Sequence, residues 1–97
     1  MTSSTYIKGS LRPRTDLGIE QVEDDLLILD KHGQKIHKLN PMASLIWARL
    51  EKGQEPNQIA QAIAEIFEIS SEMALKDVTR TLDEFRALNL LENESVL

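Results

Sequence analysis

The chain has no cysteine, few glycines and no long apolar run, and each shortage removes a class of function. Without cysteine there are no disulfides and no thiolate metal sites, which fits a cytoplasmic protein. The four glycines stand apart from one another, so no glycine-rich phosphate loop can form. No apolar stretch approaches the ~20 residues that a membrane-spanning helix needs, and the N-terminus lacks the apolar core of a signal peptide, so no membrane partner is expected. Basic residues are outnumbered, 11 against 16 acidic ones, for a net charge of −5. That balance argues against nucleic acid, because affinity for phosphates comes largely from basic side chains.

What remains is an ordinary globular composition, 41% hydrophobic and 28% charged over 97 residues. A chain of this length makes one domain that buries roughly 60–65% of its unfolded surface, too little to enclose a large substrate cavity. Residues 1–16 mix Ser, Thr, Gly and Pro without a sustained period and are expected to form a flexible N-terminal extension, with Tyr6, Ile7 and Leu11 as docking points. A single domain over 17–97 follows. Leu17 to Val22 alternates, with Leu17, Ile19 and Gln21 on one side and Glu20 and Val22 on the other, as in a short strand. Leu26-Leu27-Ile28-Leu29 is continuously apolar, as in a central strand covered on both faces. A turn at Asp30 to Gln34, with Gly33 available for positive φ, leads to a third strand over Lys35 to Leu39. The three strands read as an antiparallel meander.

At Asn40-Pro41 the period becomes helical. Asn at the N-cap can accept from a free N–H of the first turn, and Pro at the next position has no N–H to leave unpaired. Ala43, Ile46, Trp47 and Leu50 fall on one stripe, and Gly53 ends this helix. Pro56 opens a second helix with Ile59, Ala60, Ile63, Ile66 and Phe67 as its inner face. Ser70 and Ser71 cap a third helix, which packs through Leu75, Val78, Leu82 and Phe85, and Leu88, Leu90 and Leu91 close the chain as a hydrophobic clasp. The fold class is α+β, a three-stranded antiparallel sheet followed by three helices in a winged helix-turn-helix-like arrangement. Trp47, the only tryptophan, is the largest candidate core residue.

Catalysis finds little support in the residues. His32 and His37 have no cysteine to join and no metal-ligand spacing, and are read as turn and edge histidines. No serine sits in a nucleophile-elbow pattern. Neither catalytic residues, a metal nor a cofactor are expected, and the chain is read as a non-enzyme. The helix-turn-helix outline raises a DNA-binding regulator as an alternative. On the last helix, however, Lys76, Arg80 and Arg86 are offset by Asp77, Asp83 and Glu84, a poor footprint for a phosphate surface. The third strand is more distinctive. Residues 20–30 hold five acids and no Lys or Arg, whereas 31–38 hold Lys31, Lys35 and Lys38 and no acid. In a meander the third strand is an open edge. Edge lysines serve equally to block aggregation or to receive a strand from a partner, and the residues alone leave both open.

From Lys35 to Glu92 the chain resembles the PqqD family, named for pyrroloquinoline quinone biosynthesis protein D. The resemblance rests on the hairpin Leu26 to Asp30 with Gly33, then Leu39-Asn40-Pro41, Ala43, Ile46-Trp47 and Leu50. Ile59-Ala60, Ile63-Ala64, Asp77-Val78, Leu82, Phe85 and the Leu-rich end continue it, and Leu11-Arg12-Pro13 is similar to the segment that often precedes the first strand. The resemblance implies a non-catalytic recognition element for the leader of a ribosomally synthesised precursor peptide. The leader would add as a strand along Lys35, Ile36, His37 and Lys38. It would also enter a groove walled by Leu75, Thr79, Leu82, Asp83 and Arg86 of the last helix. The module would then present the precursor to a modifying enzyme such as a radical S-adenosylmethionine enzyme, a cyclase or a protease; a purely structural subunit of such an enzyme is the other alternative. Lys38 stands where an arginine is frequent, which keeps the charge and loses bidentate geometry. The apolar second strand also allows a homodimer through the other sheet face.

Overall fold

The computed structural model describes residues 11–92. Three strands, β1 (Gly18–Val22), β2 (Asp25–Asp30) and β3 (Lys35–Leu39), are followed by α1 (Pro41–Glu51), α2 (Pro56–Phe67) and α3 (Ser71–Ala87). The sheet order is β1-β2-β3 and both pairings are antiparallel. The expected meander and its three helices are therefore the observed architecture.

Register assigns every strand residue a face. Ile28 pairs with Ile19 and His37, and Leu26 with Gln21 and Leu39, so these six share the side that meets the helices. Leu27 pairs with Glu20 and Lys38, and Leu29 with Gly18 and Ile36, on the opposite side. The sequence suggested a β2 covered on both faces. Instead only Ile28 is fully buried, and Leu27 and Leu29 are half-buried, because α1 packs on the Ile28 side. Gly18 lies so close to Leu29 that an added Cβ would stand 3.3 Å from the Leu29 Cβ.

Each helix begins and ends for a local reason. Asn40 accepts the Ala43 N–H at 2.8 Å and Pro41 opens α1. At its end Gly53, with φ +85°, donates to the Leu50 carbonyl and Gln54 to that of Arg49, closing the helix with a left-handed residue that suits glycine. Pro56 opens α2, where Gln58 accepts the Glu55 N–H at 2.9 Å. Ser70 accepts the Met73 N–H to start α3. Asn89, with φ +62°, ends α3: its N–H bonds to the Arg86 carbonyl and that of Leu90 to the Phe85 carbonyl.

The core gathers Ile28 and Leu39 from the sheet, Ile46, Trp47 and Leu50 from α1, Ile59, Ala60 and Ile63 from α2, and Ala74, Val78, Leu82 and Phe85 from α3. Leu90 and Leu91 close it. Trp47 is completely buried and meets the Phe85 ring edge-to-face, centroids 5.3 Å apart. Three expectations about this core are corrected. Ile66 and Phe67 are exposed, so the covered part of the α2 stripe is Ile59, Ala60 and Ile63. On α3 the buried place belongs to Ala74, and Leu75, about 100° further round the helix, is exposed. Leu88 follows the last turn of α3 and faces solvent, leaving Leu90 and Leu91 as the clasp.

Candidate functional site

Among the described residues β3 has a neighbour on one side only, so its outer margin offers backbone N–H and C=O groups at alternate residues. Lys35, Ile36 and Lys38 are exposed along it, and Ile36, at 69% exposure, is the barest large apolar side chain among the described residues. Lys35 and Ile36 point to opposite faces. The lysines differ in what holds them. Lys38 reaches Asp25 at 3.6 Å across the outer face, whereas neither Lys31 nor Lys35 has an ion-pair partner among the described residues. Free positive charge is therefore concentrated at the hairpin end of the strand. His37 lies on the helix side, half-buried, with its Nε2 buried and without a partner among the described residues. Its place on the edge strand agrees with the edge histidine the sequence suggested. His32 fits its turn, with its Nε2 3.7 Å from Asp16.

Both ends of β3 are anchored. At the far end, the Ser44 hydroxyl on α1 donates to the Leu39 carbonyl and accepts the Leu26 N–H, each at 2.9 Å, which closes the β2–β3 ladder. At the near end, Asp30 accepts the Gly33 N–H at 3.1 Å, holding the turn that feeds Lys35. An added Cβ on Gly33 would come 2.9 Å from the Asp30 carboxylate and press on this anchor, while the positive φ expected at Gly33 falls instead on Gln34, at +55°. Neither anchor has a sequence pattern that distinguishes it from any other serine or aspartate.

The Asp30 carboxylate also meets Arg14, from the part of the N-terminal extension that is described. Arg14 grips Asp16 with two bonds of 3.0 and 2.8 Å, reaches Asp30 at 3.3 and 3.4 Å, and donates to the Asn89 carbonyl at 2.9 Å. Its backbone N–H bonds to Leu90, Glu92 bonds back to Arg12, and Pro13 bridges Leu91. Leu11 packs against the core, while the other expected docking points, Tyr6 and Ile7, lie outside the described residues. The Gly33 N–H first, and then Arg14, hold the Asp30 carboxyl below the usual carboxylate range. Hydrogen bonding to Arg14 does the same for Asp16.

α3 supplies a second feature. Besides its buried stripe it carries Leu75, Thr79 and Asp83 at four-residue spacing, and with Glu72, Lys76 and Arg80 they line an open hollow of about 640 Å³. Leu82, assigned to this wall from the resemblance, belongs to the core instead, since it shares the buried stripe with Val78 and Phe85. Arg86 is exposed and paired with Asp83 at 3.1 Å, and Arg80 with Asp77 at 3.0 Å. These pairs neutralise two of the three cations that a DNA-reading helix would need free. α1 packs against both β3 and α3, but no Cα of β3 comes within 8 Å of α3. The two walls flank α1, and their backbones stay apart.

Among the described residues no group of three metal-ligating side chains gathers, and no helix is long and apolar enough to cross a membrane.

Comparison with known proteins places these features in context. The family model for coenzyme PQQ synthesis protein D (PqqD) matches residues 13–91. TbiB1, solved in complex with the TbiA(beta) leader peptide, is similar in structure, with a TM-score of 0.79 and 21% identity over 88% of this chain and 99% of that one. Lasso peptide synthetase B1, complexed with the leader peptide, gives a TM-score of 0.74 and 25% identity over 82% of this chain and 93% of that one. No curated protein matches the sequence.

Proposed function

Because this chain belongs to the PqqD family, we propose that it binds the leader of a ribosomally made precursor peptide and presents that peptide to a modifying enzyme. PqqD-like leader-binding proteins are generally non-catalytic partners, and this chain acts in the same way, as a binding module without a reaction of its own. The observation that carries the reading is β3, anchored at both ends and, among the described residues, paired on one side only. An anchored edge strand is a template. A guest segment can pair with its backbone whatever its side chains are, and pockets beside the strand then supply selectivity.

The leader lies along Lys35, Ile36, His37 and Lys38. Its side chains turn toward Leu75, Thr79 and Asp83 on α3, with Arg86 beyond them. Lys31 and Lys35, free of partners among the described residues, favour a leader with acidic residues near the hairpin end. Lys38, already paired with Asp25, contributes less. The two peptide complexes among the similar structures support the reading, as does the pairing of Arg80 and Arg86 with acids, which disfavours a DNA-binding regulator. The test is a fluorescence anisotropy titration with a labelled synthetic peptide covering the N-terminal half of the precursor encoded beside this chain. Saturable binding, weakened by salt and absent for a scrambled peptide, is expected. Equal binding of both peptides contradicts the proposal.

A further inference from the structure

The backbones of the two groove walls stay apart, with no Cα of β3 within 8 Å of α3, yet a strand that pairs with β3 while its side chains reach α3 needs a fixed spacing between them. α1 packs against both walls. Across the hairpin end, one side chain spans the gap. Arg14 bonds through Nη1 to Asp30, the residue paired with Lys35 at the start of β3, and to the Asn89 carbonyl, two residues past the end of α3. Among the described residues no other side-chain hydrogen bond or ion pair joins the β2–β3 hairpin to the segment that follows α3.

We propose that Arg14 is a positioning residue for peptide capture, whose guanidinium sets the spacing between β3 and α3 by tying Asp30 to the Asn89 carbonyl. The inference rests on the leader-binding reading and adds a residue that does not line the groove.

Three features suit Arg14 to this task. Its side chain is 16% exposed and that of Asp30 only 9%, so the contact is largely shielded from solvent. The planar guanidinium serves Asp16, Asp30 and Asn89 together, which a lysine ammonium on a single flexible stem cannot reproduce. Its partners are themselves fixed: Asp30 by the Gly33 N–H, Asn89 by the left-handed cap of α3, and the Arg14 backbone by Leu90. A shift of Arg14 therefore moves the end of one wall relative to the other. A preorganised groove binds with less ordering cost than one whose walls must be brought into place.

The absence of cysteine makes a direct distance measurement simple. Lys31→Cys and Glu84→Cys place spin labels on the hairpin and on α3, at exposed positions. Pulsed electron–electron resonance should give one narrow distance distribution for the parent protein. It should give a shifted or broadened one for Arg14→Gln and an intermediate one for Arg14→Lys. In the anisotropy titration with the unlabelled-cysteine-free proteins, Arg14→Gln should bind the labelled precursor peptide about tenfold more weakly, with partial recovery in Arg14→Lys. Measurements are made well below each melting temperature, beside an Ile63→Val control that lowers stability from within the core. Unchanged distances in Arg14→Gln overturn the proposal, as does an equal loss of affinity in the control. A parent protein that fails to bind the peptide counts against the leader-binding reading, while the distance measurement still decides whether Arg14 sets the spacing.

Discussion

The Ser44 hydroxyl donates to the Leu39 carbonyl 2.9 Å away, locking the first turns of α1 to the last residue of β3. The same oxygen accepts the Leu26 N–H from the neighbouring strand, so one side chain satisfies both backbone groups left open where the ladder ends. Ser44→Ala leaves two backbone groups without partners. It should cost about 1–3 kcal/mol, read as a lower urea midpoint at unchanged slope, with faster amide exchange at Leu26.

Trp47 carries the largest packing contribution. Trp47→Ala should cost about 3–5 kcal/mol, since the ring is completely buried and meets Phe85 edge-on. Trp47→Phe should cost much less, because the buried indole N–H has no partner among the described residues and its removal forfeits no hydrogen bond. Urea unfolding of both variants checks the difference.

Much of this fold was legible in the sequence because its signals are local. Asn40-Pro41, Pro56 and Ser70 mark helix starts, Gly53 a helix end, and Lys35 to Leu39 was delimited correctly from the turn before it and the cap after it. Misassigned side chains fell where period alone cannot say which part of an apolar stripe is covered. Ile66, Phe67 and Leu75 continue their helical stripes in sequence and lie outside the core in space. Site residues were harder. Charge segregation and the edge argument singled out the third strand but left its use open, and both the edge Lys35 to Lys38 and the wall on α3 were assigned as a peptide site only from family resemblance. Arg14 and Ser44 act across 75 and five residues respectively, the first through a backbone carbonyl that has no sequence signature.

Charge reversal at the edge separates steering from pairing. Lys35→Glu replaces an attraction for an acidic leader with a repulsion and should weaken binding about three- to tenfold at low salt. The deficit should shrink as salt screens it. Lys38→Glu should show a smaller deficit, because Lys38 is shared with Asp25 in the free protein. Association rates by stopped flow, taken across an ionic-strength series, give both comparisons.

Acid should loosen the hairpin end first. Asp16 and Asp30 titrate below their unfolded values, Asp16 through Arg14, Asp30 through the Gly33 N–H and then Arg14. A lowered folded pKa stabilises the fold fully above the unfolded value of about 3.9, and that contribution is lost as pH falls through the folded values. Melting temperatures should therefore fall on the acid side of about pH 4, and Arg14→Gln should flatten that fall. No pH dependence from these two carboxyls is expected near neutrality.

Whether the outer margin of β3 receives the peptide can be read one residue at a time. Titrating isotope-labelled protein with the leader encoded beside it, and following backbone amides by NMR, tests this directly. The account predicts large shifts at Lys35, Ile36, His37 and Lys38, slower hydrogen exchange at those whose N–H faces outward, and smaller changes at Leu75 and Thr79. Saturable binding that leaves residues 35–38 unshifted and moves another surface instead would contradict it.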